Sequence, residues 1–114
     1  MSDIEREFLL AFWKVHILHH AAREPVVGAW IIKELARHGY TVSPGSLYPL
    51  LARMEARGWL TCRSDPALGP KARKEYTLTD EGHRVLDQLR DQVAELYREV
   101  VLGEDTPAPQ EVTP

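Results

Sequence analysis

Apolar residues recur at helical spacing through the N-terminal segment, and they fall on two faces of the helix that this spacing predicts for residues 4–22. A helix with two apolar faces is usually packed between two neighbours. A domain of this size readily buries one face, so the second face predicts contact with a partner subunit. One stripe contains Ile4, Phe8, Phe12, Val15 and His19, and the other contains Leu9, Trp13, Ile17 and His20.

Residues 27–38 predict a second helix with Trp30, Ile31 and Leu35 on its apolar side. Pro25 separates this segment from the first helix. Gly39 follows at the position of a C-terminal cap, where a glycine in the left-handed conformation satisfies the last carbonyl groups of a helix.

A third helix is predicted to begin at Ser43, whose hydroxyl group can cap the first turn, and Pro44 supplies a preset φ. Pro49 conflicts with a regular helix because proline donates no backbone hydrogen bond, so we expect a tight start or a bend there. Gly58 ends the helix. The apolar residues that should face the core are Leu47, Leu50, Leu51 and Met54.

Two strand-like segments follow, at residues 59–63 and 74–78. The connection between them includes residues 64–70, which are rich in turn formers. These residues are too many for a tight hairpin, so we expect a flexible tip. A short helix followed directly by a basic hairpin is the arrangement of a winged helix, in which the helix enters the DNA major groove beside a β wing. The pattern therefore predicts a mostly α fold with a small β wing, a winged helix-turn-helix.

The last helix is predicted over about residues 79–102, with Thr79 as its N-cap and acidic residues in its first turn. Its apolar residues are Leu86, Leu89, Val93, Leu96 and Val100, which step by 3, 4, 3 and 4 and form a heptad seam. From periodicity alone, a seam between two chains and an amphipathic helix packed on its own domain fit equally well.

Composition limits the class of protein. A length of 114 residues indicates one domain, over residues 1–102, followed by a Pro-rich polar tail at 103–114 that we expect to be disordered. No apolar run is long enough to span a membrane, the N-terminus lacks a basic secretory region, and the lone Cys62 suits a reducing compartment. We therefore expect a cytoplasmic protein with no membrane partner.

The net charge of −3 hides an uneven distribution. Residues 28–76 carry eight Lys or Arg against four Asp or Glu, whereas residues 77–114 carry three against nine. A basic middle with acidic ends indicates a local anion-binding surface, although mixed charge is also usual on helix surfaces.

Candidate DNA contacts lie on the third helix and in the wing. Small hydroxyl residues near a helix N-terminus bind phosphates, and an arginine can contact a guanine edge with two hydrogen bonds. The wing cations have no acid among them, which favours phosphate or minor-groove contact. For Tyr48, a half-buried ring packed under the wing and a DNA contact are equally good interpretations. The candidates are Ser43, Pro44, Gly45, Ser46, Tyr48 and Arg53 on the helix, and Lys71, Arg73 and Lys74 in the wing.

Three histidines, His16, His19 and His20, form the most unusual local pattern. His16 and His20 are one helical turn apart, a spacing at which two imidazoles can share a metal ion. Packing at a subunit interface or exposure to solvent is the commoner outcome. A metal site here would need ligands from a second subunit, and it would make the protein a metal-responsive regulator.

The sequence contains no nucleophile–base set, Gly-rich phosphate loop or paired carboxylates, so an enzyme is not expected. Three classes remain open: a DNA-binding repressor, a winged helix used for protein contacts, and a small metal-dependent enzyme built on the histidines. The basic wing favours the first class over the second, and the missing general base disfavours the third.

The order of these motifs resembles the PadR family of bacterial transcriptional regulators. The likeness is carried by residues 38–40, 43–51, 55–60, 73–79 and 81–82, in which a Leu-Tyr-Pro element precedes a Tyr-x-Leu-Thr-x-x-Gly element. It extends over about residues 4–102. The resemblance implies a homodimeric repressor of the short subclass, which binds a palindromic operator in double-stranded DNA and is released by an effector.

The resemblance also implies where the dimer and the effector site lie. The N- and C-terminal helices would form the dimer, with a ligand site between them for a small molecule or a metal effector, and no cofactor would be required. Members that bind planar aromatic drugs use a tryptophan at the dimer pore, where Val93 stands in this chain, so the pocket should be aliphatic. The implied dimer residues are Phe8, Phe12, Leu86, Leu89, Val93, Leu96 and Val100.

Overall fold

The computed structural model describes residues 3–104. Its elements are four α-helices, three short strands, a 3-10 helix between two of the strands and a π-helical turn at the end. In chain order they are α1 (Asp3–Arg23), β1 (Val26–Val27), α2 (Gly28–Arg37), α3 (Pro44–Ala56), β2 (Leu60–Arg63), the 3-10 helix (Pro66–Lys71), β3 (Glu75–Leu78), α4 (Asp80–Leu96) and the π turn (Tyr97–Val101).

The sheet has three antiparallel strands in the order β1-β3-β2, so the structure adds one strand to the predicted two-stranded hairpin. The pair β2–β3 is the predicted wing, with Leu60 opposite Leu78. The additional strand β1 pairs Val26 with Tyr76 of β3. Two residues are too few to show a strand periodicity, and their partner strand lies far along the chain, so tertiary packing decides this pairing.

The predicted helices are confirmed, with ends that depend on local backbone geometry. Gly58 follows α3 with φ of 80°, and the Trp59 amide donates to the Met54 carbonyl, which closes the helix with a left-handed C-terminal cap. The helix α3 runs from Pro44 to Ala56 with Pro49 inside it, and the bend expected at Pro49 stays a prediction.

The tip of the wing contains a short helix where the sequence predicts only turns. Asp65 caps it, since the Asp65 carboxylate accepts a hydrogen bond from the Ala67 amide at 2.9 Å. Gly69 interrupts its helical geometry with φ of 68°. An aspartate that bonds the backbone two residues ahead is the local interaction that favours this turn.

The core lies where α1, α2 and α3 pack against the sheet and the first half of α4. From the outer helices it includes Trp13 of α1 and Leu86 of α4, both at most 2% exposed. The other most deeply buried side chains are Ile17, Leu18, Leu35, Leu47, Leu50, Leu51 and Met54. The apolar positions predicted for α3 thus all face the core.

The first helix has one buried face and one uncovered face. Trp13 and Ile17 of the second stripe are buried in the core, whereas Phe8 and Phe12 of the first stripe are 59% and 47% exposed. The two-faced pattern is therefore confirmed within one chain, and the outer face remains uncovered by it.

The C-terminal helical segment ends where the sequence predicts. After the π turn, Gly103 has φ of 70° and donates to the Glu99 carbonyl, and Glu104 donates to the Arg98 carbonyl at 2.9 Å. These two residues of the predicted tail still cap the helix. The rest of that tail, residues 105–114, lies outside the described residues, as do residues 1 and 2. Over residues 3–104, the structure contains no helix that is both long enough and apolar enough to cross a membrane.

Candidate nucleic-acid interface

The N-terminus of α3 is capped by its own serines. The Ser43 hydroxyl oxygen accepts from the Ser46 amide at 3.2 Å, and the Ser43 hydroxyl lies 3.3 Å from the Ser46 hydroxyl. Pro44 occupies the first helical position. Ser43, Pro44 and Gly45 are exposed and Ser46 is half-buried, so the predicted small residues lie together at one accessible helix end.

Tyr48 joins α3 to the start of α2. Its ring lies against Gly28, where an added Cβ atom would be 2.6 Å from the Tyr48 hydroxyl oxygen. The side chain remains 41% exposed. The ring therefore packs on α2 and is in part accessible, and DNA contact by Tyr48 stays a prediction.

A groove with a volume of about 710 Å³ lies between the start of α2, Tyr48 and the base of the wing. Three cations line it: Lys33 of α2, and Arg73 and Lys74 just before β3. Its other lining residues are Val27, Gly28, Ala29, Trp30, Tyr48 and Ala72. We call this surface the basic groove.

The start of α2 adds a partial positive charge to the basic groove. Val27 occupies the N-cap position of α2 and makes no side-chain hydrogen bond to the helix. The amides of a first turn point out of the helix, and the helix dipole favours an anion beside them. The start of α2 and the three cations of the basic groove therefore favour the same ligand, a phosphate group.

Two further predicted DNA contacts are Arg53 and Lys71. Arg53 is exposed in the last turn of α3 and does not line the basic groove. The Lys71 side chain lies outside the described part of the structure. Nearby, the Arg57 guanidinium lies over the Trp59 ring, 5.5 Å from its centroid, where a cation–π contact holds it.

Sequence reasoning missed the contribution of α2 to this surface. Gly28, Trp30 and Lys33 line the basic groove, although none was a candidate. A signal was present, because a helix that starts without a Ser, Thr, Asp or Asn cap leaves its first amides available to a ligand.

The heptad seam is divided by the fold. Leu86 is 1% exposed in the core of its own protomer, and Leu89 is half-buried against that core. Val93, Leu96 and Val100 are 47%, 55% and 71% exposed. The surface that a second chain can cover therefore lies in the second half of the seam.

A second cavity of about 710 Å³ lies between α1 and α4. Phe12, Val15 and His19 line it from α1, and Val93 and Leu96 line it from α4. His16, His19, Tyr40 and Arg90 add polar groups to its apolar wall. One predicted dimer residue of α1, Phe12, and three of α4, Leu86, Val93 and Leu96, thus border this cavity, which we call the terminal-helix cavity.

The histidines face α2 as well as each other. His16 stacks on His38 with ring centroids 4.9 Å apart, and the rings of His16 and His20 are 6.4 Å apart. Burial lowers the pKa of His16 and of His20 from the ordinary value, and the neighbouring histidines lower both further. Within the described residues, no three His, Cys, Asp or Glu side chains converge on a position that would hold a metal ion. The predicted metal ligands therefore gain no support from this arrangement.

A recognition helix preceded by a short helix and followed by a small antiparallel wing defines the winged-helix class of DNA-binding folds. The basic groove is lined by Tyr48 of α3 and by Arg73 and Lys74 at the base of that wing. The chain belongs to the transcriptional regulator PadR-like family, whose profile matches residues 17–88. It is a transcriptional regulator and not an enzyme.

Similar proteins agree with this membership. Over 99 residues the chain is 48% identical to the transcriptional regulator Rv3488 of Mycobacterium tuberculosis, a match that covers 87% of this chain and 92% of the relative. A PadR family transcriptional regulator from Eggerthella lenta has a similar structure, with 35% identity, 91% and 95% coverage and a TM-score of 0.68. A PadR-like transcription factor from Bacteroides fragilis has 28% identity, 87% and 96% coverage and a TM-score of 0.72.

Proposed function

We propose that this PadR-family regulator is a homodimeric repressor that binds a palindromic operator and is released when an effector fills the terminal-helix cavity. The observation that carries the proposal is the basic groove, where Lys33, Arg73 and Lys74 surround the uncapped start of α2 beside the recognition helix α3. Such a regulator acts where the bacterial chromosome lies, in the cytoplasm.

The recognition helix and the wing have different tasks in this proposal. The exposed N-terminal turn of α3 enters the major groove, where base edges differ in their pattern of donors and acceptors. Arg73, Lys74 and the start of α2 bind the phosphates on either side, which positions the helix without a base code. Tyr48 lies between these two surfaces and contacts the sugar-phosphate backbone.

Dimerisation is supported by the exposed apolar surface of the terminal helices. Phe8 and Phe12 of α1 are exposed, as are Val93, Leu96 and Val100 of α4, and Phe12, Val93 and Leu96 line one cavity. A large exposed apolar surface marks a protein interface. A twofold dimer would use the same surface on both chains. Its two α3 helices would then lie about 34–36 Å apart, or a multiple of that distance, to reach successive major grooves.

Effector control is supported by the position of the terminal-helix cavity. The cavity lies between the two helices that would hold the dimer, so a bound molecule changes the angle between the protomers and the spacing of the two α3 helices. Its aliphatic and aromatic wall suits a small organic molecule, and Arg90 and Tyr40 offer hydrogen bonds to one polar end.

The experiment that tests this function begins with the DNA upstream of the chain's own gene. Fluorescence anisotropy at several salt concentrations measures the affinity for that DNA, and footprinting identifies the protected sequence. We expect a symmetric footprint and an affinity that falls linearly on a log–log salt plot. Binding that ignores salt and sequence would instead favour a winged helix used for protein contacts.

The effector is then sought by release of the labelled operator. Small organic acids, aromatic compounds and Zn²⁺ are added separately to the complex. Release by organic compounds, lost when Val93→Trp fills the terminal-helix cavity, supports the proposed site. Release by Zn²⁺ alone, lost in His16→Ala, would support a metal-responsive repressor instead.

A further inference from the structure

A cluster of titratable side chains connects α1 to the C-terminal end of α2. His16 and His20 reach from α1, while Glu34 and the C-cap residue His38 reach from α2. The His16 and His38 rings stack at 4.9 Å, and His20 meets the Trp30 ring edge-on at 5.1 Å. The packing among His16, His20, Trp30 and Glu34 leaves no space for a water molecule.

Glu34 is the carboxylate that faces these rings, and it is already engaged by a cation. Arg37 donates to its two oxygens, with Nη2–Oε1 at 2.6 Å and Nε–Oε2 at 3.2 Å. The same Oε1 lies 3.3 Å from His38 Nε2 and 3.7 Å from His20 Nε2. One negative charge, shared with Arg37, therefore faces two imidazoles, those of His20 and His38.

We propose that His16, His20, His38 and Glu34 form a proton-operated joint between α1 and α2, closed while the imidazoles are neutral and opened when they are protonated. Protonation would place positive charges on stacked rings 4.9 and 6.4 Å apart, beside Arg37. Like charges at such distances repel, and no water fits among His16, His20, Trp30 and Glu34 to screen them. Separation of α1 from α2 relieves the repulsion.

Other ionisable groups also lie near the joint. His19 of α1 meets the His20 ring at 4.9 Å and would add a further positive charge. Tyr40, after α2, meets the His16 ring edge-on at 5.9 Å. Arg90 of α4 lines the terminal-helix cavity together with His16 and His19, and it is paired with Asp87 at 3.2 Å. Within the described surroundings, positive groups thus come from α1, α2 and α4.

The pKa directions set the pH at which the joint opens. Burial lowers the pKa of His16 and His20 below 6.5, so the folded chain favours their neutral forms. The preference for neutral His16 and His20 contributes to the free energy of unfolding. This contribution is fully present above pH 6.5, and it is lost as the pH falls below 6.5. Glu34 stays ionised through this range, because the hydrogen bonds from Arg37 lower its pKa to about 2.

The joint has a consequence for DNA that rests on the proposed function. Helix α1 carries the exposed Phe8 and Phe12 of the proposed dimer surface, and α2 carries the start of the basic groove. A change in the angle between α1 and α2 therefore alters the spacing of the two α3 helices. The proton becomes a second effector, distinct from a ligand in the terminal-helix cavity.

The first measurement follows the joint without DNA. Histidine titration by NMR and hydrogen exchange of the α1 and α2 amides are recorded on the full chain from about pH 7.5 to 5.0, the range in which imidazoles change charge. We expect His16 and His20 to titrate below 6.5 and exchange at the α1–α2 seam to rise over the same interval. Titration of both at their ordinary value, or exchange that is flat with pH, overturns the proposal.

Two variants shift the opening in opposite directions. His38→Gln removes a charge that lowers the pKa of His16, so the joint should open at a higher pH. Glu34→Gln removes a charge that raises the pKa of both helix α1 histidines, so it should open at a lower pH. His83→Gln, an exposed substitution on α4 away from the joint, serves as the control and should leave the pH of opening unchanged. Shifts of the same sign in both variants would contradict the mechanism.

The second measurement is operator affinity at about pH 7.5 and 5.5. We expect the wild-type affinity to fall by at least about fivefold at the lower pH, the lower end of usual coupling between two sites. In His38→Gln and Glu34→Gln, operator affinity should fall at the pH at which the joint of each variant opens. A chain that opens with acid but binds no operator would reject the proposed function and keep the joint. A chain that binds the operator but keeps its α1–α2 seam closed at low pH would reject the joint and keep the proposed function.

Discussion

The ring of Tyr48 in α3 lies so close to Gly28 at the start of α2 that a Cβ atom on Gly28 would be 2.6 Å from the tyrosine hydroxyl oxygen. The two residues belong to different helices, and both line the basic groove. The missing side chain of Gly28 therefore sets how deeply Tyr48 lies and how wide the groove is.

Substitution of Gly28 tests the basic groove without changing the packing of the core. In Gly28→Ala the exposed tyrosine ring has to turn into the groove, so we expect operator affinity to fall about tenfold. Stability should change by less than about 1 kcal/mol, because a ring at the surface moves more easily than packed core atoms. Anisotropy with labelled operator and a thermal melt measure the two effects. The loss should vanish in a Tyr48→Ser background, since the clash is then absent, and additive losses would contradict this account.

The wing cations are expected to bind phosphates. Arg73→Ala and Lys74→Ala should each weaken binding to operator and to unrelated DNA alike, and each should reduce the log–log salt slope by about 0.9. Arg98→Ala, an exposed substitution in the C-terminal π turn, is the matched control and should leave the slope unchanged. If both wing variants keep the wild-type slope, the wing does not contact DNA.

The dimer surface is best tested at a residue that the protomer does not bury. Leu96 is 55% exposed, so Leu96→Asp should leave the protomer folded and yet produce monomers, because a charge would be buried at the interface. Analytical ultracentrifugation at micromolar concentration measures the mass, and circular dichroism checks the fold. Leu86→Asp should instead unfold the chain, since Leu86 is 1% exposed. A wild-type protein that sediments as a monomer would end the dimer proposal.

Thr79 connects the wing to α4 through a single hydroxyl group. Its oxygen accepts from the Gly82 amide at 2.9 Å, and its hydroxyl donates to the Gly58 carbonyl oxygen, with the Trp59 carbonyl oxygen 3.1 Å away. Thr79→Ala removes this helix cap and should lower the free energy of unfolding by about 1–2 kcal/mol. Thr79→Ser keeps the hydroxyl and should recover most of the loss in chemical denaturation. Equal losses in both variants would show that the methyl group, and not the cap, matters.

Most of the fold was predictable because its signals are local. A serine cap before Pro44, a glycine at position 58 and apolar residues spaced along α3 act within a few residues of each other, and each predicts a helix or its end. The helix ends therefore agree closely with the sequence pattern. The strand β1 was missed because Val26 and Val27 form a strand only when β3 lies beside them.

The candidate DNA surface was predictable in part. The small residues at the start of α3 and the cations of the wing were found from residue type and position. The contribution of Lys33 was not, since it depends on the distance between α2 and the base of the wing. Arg53 resembled a contact residue in type, but its place in the last turn of α3 is away from the basic groove.

By itself, the sequence determined the winged-helix order of elements, the basic character of the wing and the family resemblance, because these depend on spacing and side-chain chemistry along the chain. The tertiary structure alone decided which side of each helix is covered. It buried Leu86 while exposing Leu96 on the same seam, and it brought His38 onto His16 from a different helix. Periodicity describes a helix face, but burial depends on which other elements pack against that face.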